Sequence, residues 1–95
     1  MKYKVYDAFG RVWPLDGVLA NIGPGWGPLV QSLIRDLFEM GWDGTLVQIK
    51  EKFGGLRFYI GEGTEDIHER IWKAEADSFN ICEQCGEPGS TAHAK

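Results

Sequence analysis

The chain has 95 residues, with 43% hydrophobic and 25% charged content, the proportions of one small globular domain. Its formal net charge of −4 argues against a nonspecific nucleic-acid coat, which neutralises phosphates with surplus Lys and Arg. No apolar run reaches the length of a membrane span, and a core this small gains from a metal or a second subunit.

Lys2 to Asp7 is rich in Tyr and Val and alternates moderately. It reads as a strand that turns at Phe9-Gly10 into a short Arg11-Val12-Trp13 stretch ended by Pro14. Gly23-Pro24-Gly25-Trp26-Gly27-Pro28 is a loop feeding a helix, with Pro28 suited to the first helical position. Leu29, Val30, Leu33, Ile34, Leu37 and Phe38 then repeat at helical spacing, and Gly41 is placed to end the helix with a left-handed residue. Thr45 to Lys52 reads as a strand with Thr45, Val47 and Ile49 on one face and Leu46, Gln48 and Lys50 on the other. Phe53-Gly54-Gly55 is the turn into a second strand, Leu56 to Ile60. After the Gly61-Glu62-Gly63-Thr64 turn, Asp66 and Glu69 form a candidate cap, and Ile67, Ile71, Ala74 and Ser78 give a second helix a narrow inner stripe.

These elements predict a single α+β domain over residues 1–95. A small antiparallel sheet, the hairpin of 45–60 plus an N-terminal strand, is packed by helices over 28–40 and 65–79. Residues 81–95 form a knuckle-like or flexible C-terminal tail. The N-terminal residues lack the apolar core of a signal peptide, so a cytoplasmic location is expected, in which two cysteines stay reduced.

Cys82-Glu83-Gln84-Cys85-Gly86 has the spacing of half a zinc knuckle. Two thiolates two residues apart can share one tetrahedral Zn²⁺, and the glycine permits the tight turn. Completing the site takes two further ligands, and His93 and His68 are the histidines on offer. The candidate metal set is Cys82, Cys85 and His93, with zinc in a structural role. Idle thiols are the alternative. A redox pair is a weaker one, since no strand precedes the motif.

Two stretches are candidate binding surfaces. Lys50 to Tyr59 brings the cations Lys50, Lys52 and Arg57 together with three aromatics around one turn. Lys50 and Arg57 are expected to meet across the hairpin, where they can hold a phosphate or carboxylate, and Tyr59 shares the face of Arg57 and can stack on a base. The plainer reading is a polar strand face with Phe53 and Phe58 in the core. In the Gly23–Pro28 loop, Gly25 and Gly27 let a ligand approach backbone N–H groups at a helix start. Trp26 is either a stacking platform or a staple that packs the loop down. Trp13, Trp42 and Trp72 are expected in the core or a subunit contact.

Three segments together, Gly25-Trp26-Gly27-Pro28-Leu29, Lys50-Glu51-Lys52-Phe53-Gly54-Gly55-Leu56-Arg57-Phe58-Tyr59 and Cys82-Glu83-Gln84-Cys85-Gly86-Glu87-Pro88-Gly89, resemble a set of small uncharacterised proteins of phages and prophages. The resemblance spans about the last three quarters of the chain. Such proteins commonly complete a zinc ribbon with a second cysteine-rich segment. This chain continues instead as Ser90-Thr91-Ala92-His93-Ala94-Lys95, so the metal is lost, His93 substitutes, or a second copy supplies ligands. The resemblance implies a phage-encoded accessory protein in the host cytoplasm and supplies no catalytic residue.

Two histidines, no nucleophile elbow and no paired carboxylates at motif spacing argue against an enzyme. The expected activity is therefore binding. Its object is an anionic small molecule such as a nucleotide-like immune signal, sequestered against host defence, or a host protein. A zinc-ribbon-like nucleic-acid or transcription-apparatus binder is the alternative, disfavoured by a pI near 5.0. No membrane partner is expected, and a homodimer is.

Overall fold

A computed structural model of the chain describes residues 4–81 and 83. Strands β1 (Val5–Tyr6) and β2 (Val12–Trp13) form one small antiparallel sheet, as the Tyr- and Val-rich start implies. Asp7 closes the turn between them. Its carboxylate accepts the backbone N–H groups of Phe9 (2.8 Å) and Arg11 (3.0 Å) and pairs with the Arg11 guanidinium. The Arg11 N–H is the first reason that the Asp7 carboxyl lies below its usual range. Pro14 does not simply end this stretch: it leads into a short helix, α1 (Leu15–Leu19), that the sequence reading missed. Five residues are too few to display a periodic stripe, and Val18 alone is buried.

A 3₁₀ turn, Pro24–Trp26, runs directly into helix α2 (Gly27–Glu39), close to the expected span. Its buried side carries Val30, Leu33, Ile34 and Leu37. Gly41, with φ 98°, follows the helix end as expected. Helix α3 (Glu65–Ser78) presents the predicted stripe of Ile67, Ile71, Ala74 and Ser78. Its cap is Thr64 rather than Asp66, with Thr64 Oγ1 accepting the Ile67 N–H at 3.3 Å. The two helices are tied by Arg70, whose guanidinium reaches Asp36 Oδ2 at 2.9 Å. Asp36 is thus an interhelical partner.

Strands β3 (Leu46–Lys52) and β4 (Gly55–Ile60) form the second antiparallel sheet. It touches the first through one parallel bridge, Tyr6 to Thr45, so the N-terminal strand abuts the hairpin without extending it. A bulge between Leu46 and Gln48 breaks the two-residue period. Leu46 and Ile49 are both buried while Val47 is exposed, which corrects the expectation that Val47 and Ile49 share a face. Beyond the bulge the alternation is regular. Ile49 faces Phe58 and Glu51 faces Leu56 on the core side; Gln48–Tyr59, Lys50–Arg57 and Lys52–Gly55 pair on the other.

Helix α3 packs along β4 and completes its edge. The Leu56 N–H donates to Ser78 Oγ at 2.8 Å, and the Phe58 N–H donates to Glu75 Oε2 at 2.9 Å. The Ser78 hydroxyl in turn donates to the Glu75 carbonyl. Phe79, just past the helix, lies over Gly55, where any Cβ would strike its ring.

The hairpin turn holds Phe53 at φ 55° and Gly54 at φ 82°. Two consecutive positive φ values suit the right-handed twist of the strands, and Asn-Gly is the usual pair there. Phe53 is instead a bulky residue in a left-handed conformation, 84% exposed. The sequence reading that put Phe53 in the core is thereby corrected. Replacing it with Asn relieves the strain at no cost in burial. Phe53→Asn is expected to raise unfolding stability by about 1 kcal/mol, read by urea denaturation; a loss of stability would refute the strain.

Candidate functional site

The glycine–tryptophan loop is already engaged within the chain. Trp26 is 1% exposed and its indole N–H donates to the Ile81 carbonyl at 2.9 Å. The Gly23 N–H donates to Glu83 Oε2 at 2.9 Å, and the Gly25 N–H donates to the Glu83 carbonyl. A Cβ on Gly23 would strike Glu83. The anion drawn to this helix start is therefore the protein's own carboxylate. Gly25 and Gly27 are buried with Trp26. A base cannot stack on a ring that is enclosed on all sides, so Trp26 is the staple of the two roles considered, and the expectation of a ligand platform at Gly25, Trp26 and Gly27 is corrected. Glu83, which sequence reading passed over, is the residue that fills the loop.

The other tryptophans divide. Trp42 is buried between Phe38 (5.1 Å between ring centres) and Phe58 (6.1 Å). Trp13 packs against the core. Trp72 stands 63% exposed on α3.

The hairpin face is the opposite case. Lys50 and Arg57 stand directly across from one another, with Lys52 one step toward the turn and Tyr59, opposite Gln48, one step away from it. Along a strand such steps are about 7 Å. The core side of the hairpin is the one carrying Ile49, Leu56 and Phe58; on the other, Phe79 lies over Gly55 at the turn end and Lys50 and Arg57 are half-buried. Among the described residues, Arg11, Arg35, Arg70 and Lys73 each have a carboxylate partner. Lys50, Lys52 and Arg57 have none. Glu51, the nearest acid in sequence, is turned back to the Gly54 N–H at 2.6 Å. Lys52 instead lies over the exposed Phe53 ring, 5.6 Å from its centre.

Like charges directly opposed across a strand pair are destabilising. An acidic protein that leaves three cations on one face is holding a local positive surface that an anion would relieve. Lys50, Lys52, Arg57 and Tyr59, expected to gather around one turn, share one face of the hairpin, whereas Trp26, a candidate for the same ligand role, is buried.

Of the metal candidates, Cys82, Cys85 and His93 lie outside the described residues. His68 sits in the first turn of α3, on a groove it lines with Trp42, Asp43, Glu62 and Thr64. Roughly 15 Å of helix separates it from the end that leads to Ile81. Among the described residues no cluster of three or more His, Cys, Asp or Glu could hold a metal ion, and no helix is long and apolar enough to cross a membrane.

No family model, no curated protein and no solved structure matches the chain. The resemblance to small phage proteins rests on the quoted residues alone.

The staple role has a direct consequence. Trp26→Phe removes the indole N–H and leaves the Ile81 carbonyl without its donor. A loss of about 1–3 kcal/mol in unfolding free energy is expected, with anion binding at the hairpin unchanged. An unaltered denaturation midpoint would show that the strap carries no stability.

Proposed function

We propose that this protein is a non-enzymatic binding module that captures an acidic protein partner on the outward face of the β3–β4 hairpin. One observation carries the reading: Lys50 and Arg57 are opposed in register, with Lys52 beside them, and no described carboxylate neutralises any of the three. The face is the side of the two-stranded sheet away from its core, half-buried at Lys50 and Arg57 and exposed at Lys52 and Tyr59. Small-molecule sites are concave and bury most of their ligand, whereas a strand face suits a macromolecule. If the chain is the phage accessory protein that its motifs resemble, the partner is a host protein in the host cytoplasm, and the activity is to block it.

Tyr59 supports a second reading. It lies on the same face as Arg57, two residues along β4 and 42% exposed. A nucleotide-like ligand would place phosphate at Lys50, Lys52 and Arg57 and its base on Tyr59.

A structural zinc at Cys82, Cys85 and His93 is proposed on the Cys-x-x-Cys spacing.

A charge exchange separates folding from binding. Lys50→Glu sets a carboxylate opposite Arg57, so stability is expected to rise by about 0.2–1 kcal/mol. Polyglutamate binding, measured by fluorescence anisotropy at low salt, is expected to fall about tenfold or more in the same variant. Equal binding by wild type and variant, or none by wild type, sinks the acidic-partner reading. Stabilisation of wild type by ATP but not by polyglutamate would select the nucleotide reading instead.

A further inference from the structure

The two edges of the β3–β4 hairpin are treated differently. Leu56 and Phe58 turn their N–H groups outward from β4, and Ser78 and Glu75 accept them. In an antiparallel pair, residues that point away from the partner strand face residues that do the same. Glu51 and Ile49, the register partners of Leu56 and Phe58, therefore turn their own N–H and C=O groups toward the far edge of β3. No described strand lies there. The sheet has two strands, and its link to β1 ends at Thr45, before β3 begins. β3 is thus an open edge with a row of backbone donors and acceptors.

Both ends of that edge carry exposed apolar side chains. At its start, Phe9, Val12, Trp13 and Val47 line a groove of about 260 Å³ together with Asp7 and Arg11. Val47 faces it because of the bulge at Leu46–Gln48. At the far end stands Phe53, held in a left-handed conformation. An exposed aromatic kept in a strained backbone state is the kind of outlier found at ligand clamps.

We infer that β3 receives an extended acidic segment of a partner protein as an added strand. The inference rests on the acidic-partner reading above and states its mode. Backbone groups of Ile49 and Glu51 supply the pairing. Lys50 and Lys52, on the outward face, meet Asp or Glu at alternate positions of the incoming strand. An apolar residue of that segment fills the groove at Val47.

A second copy of this chain fits the edge poorly. An antiparallel copy centred on Lys50 sets Lys50 against Lys50. One centred on Glu51 sets Lys50 against Lys52 twice and Glu51 against Glu51. One centred on Ile49 avoids those contacts but runs into the bulge at Leu46–Gln48. Lysines on an edge strand discourage pairing with like strands, and the same lysines attract an acidic one.

Backbone pairing can be tested apart from charge. A heptapeptide alternating Glu and Val is compared with the same peptide N-methylated at alternate residues, so that charge and side chains are retained while the N–H donors on one edge are removed. Both methylation phases are used. Titration is followed by anisotropy, with light scattering on the same samples. The unmodified peptide is expected to bind, and one methylation phase to weaken it about tenfold or more. Equal binding by all three peptides overturns strand addition while leaving the basic face as an acid-binding surface. No binding by any of them overturns both. A dimer of the free protein that the peptide dissolves would mean that a second copy holds the edge, and also contradicts the inference.

Discussion

The hydrogen bonds from Leu56 to Ser78 and from Phe58 to Glu75 are what the rest of the molecule depends on. An isolated two-stranded hairpin is marginal in water. Here α3 acts as a third member of the sheet by offering side-chain acceptors in place of a strand. Ser78 is fully buried and satisfied on both sides, accepting from Leu56 and donating to Glu75. With this edge closed, the apolar row of α3 packs Ile67, Ile71 and Ala74 into the same core as Leu56 and Phe58. The Arg70–Asp36 pair then carries α3 onto α2. Closing one edge this way leaves β3 as the only hairpin edge that any described element fails to cover.

The same arrangement separates two features that look alike in the sequence. Glycines beside a tryptophan and cations beside a glycine turn are both plausible anion sites. The first is satisfied internally, because Glu83 comes back to the loop from sixty residues away in the chain. The second is left without a carboxylate, because Glu51 is turned onto its own turn and no described acid pairs with Lys50, Lys52 or Arg57. Whether a basic or amide-rich motif is free for a partner is decided by what the fold brings beside it.

Much of the fold was legible. Helix α2 has a long apolar stripe with Pro near its start and Gly after its end, and its span was read nearly to the residue. The hairpin was read from glycines between two alternating runs, and the Lys50–Arg57 pairing followed from it. The misreadings have local causes. A bulge moved Val47 off the face that a strict period assigned to it. Thr64 won the cap from Asp66 because it lies directly before the first helical residue. Helix α1 is too short to leave a pattern. Contacts made at long range left no local signal at all: nothing beside Glu83 announces Gly23, and nothing in α3 announces that Glu75 and Ser78 serve a strand. Phe53 did leave a signal, since a bulky residue before Gly at a hairpin turn replaces the usual Asn, but its weight was clear only once its φ and exposure were seen.

Amide hydrogen exchange read residue by residue on the free protein tests most directly the claim that one hairpin edge is closed and the other open. Leu56 and Phe58, held by Ser78 and Glu75, should exchange slowly although they face away from β3. Ile49 and Glu51, directly across from them, should exchange fast. Slow exchange at all four positions would mean that β3 is already covered, and fast exchange at Leu56 and Phe58 would mean that α3 does not close the sheet.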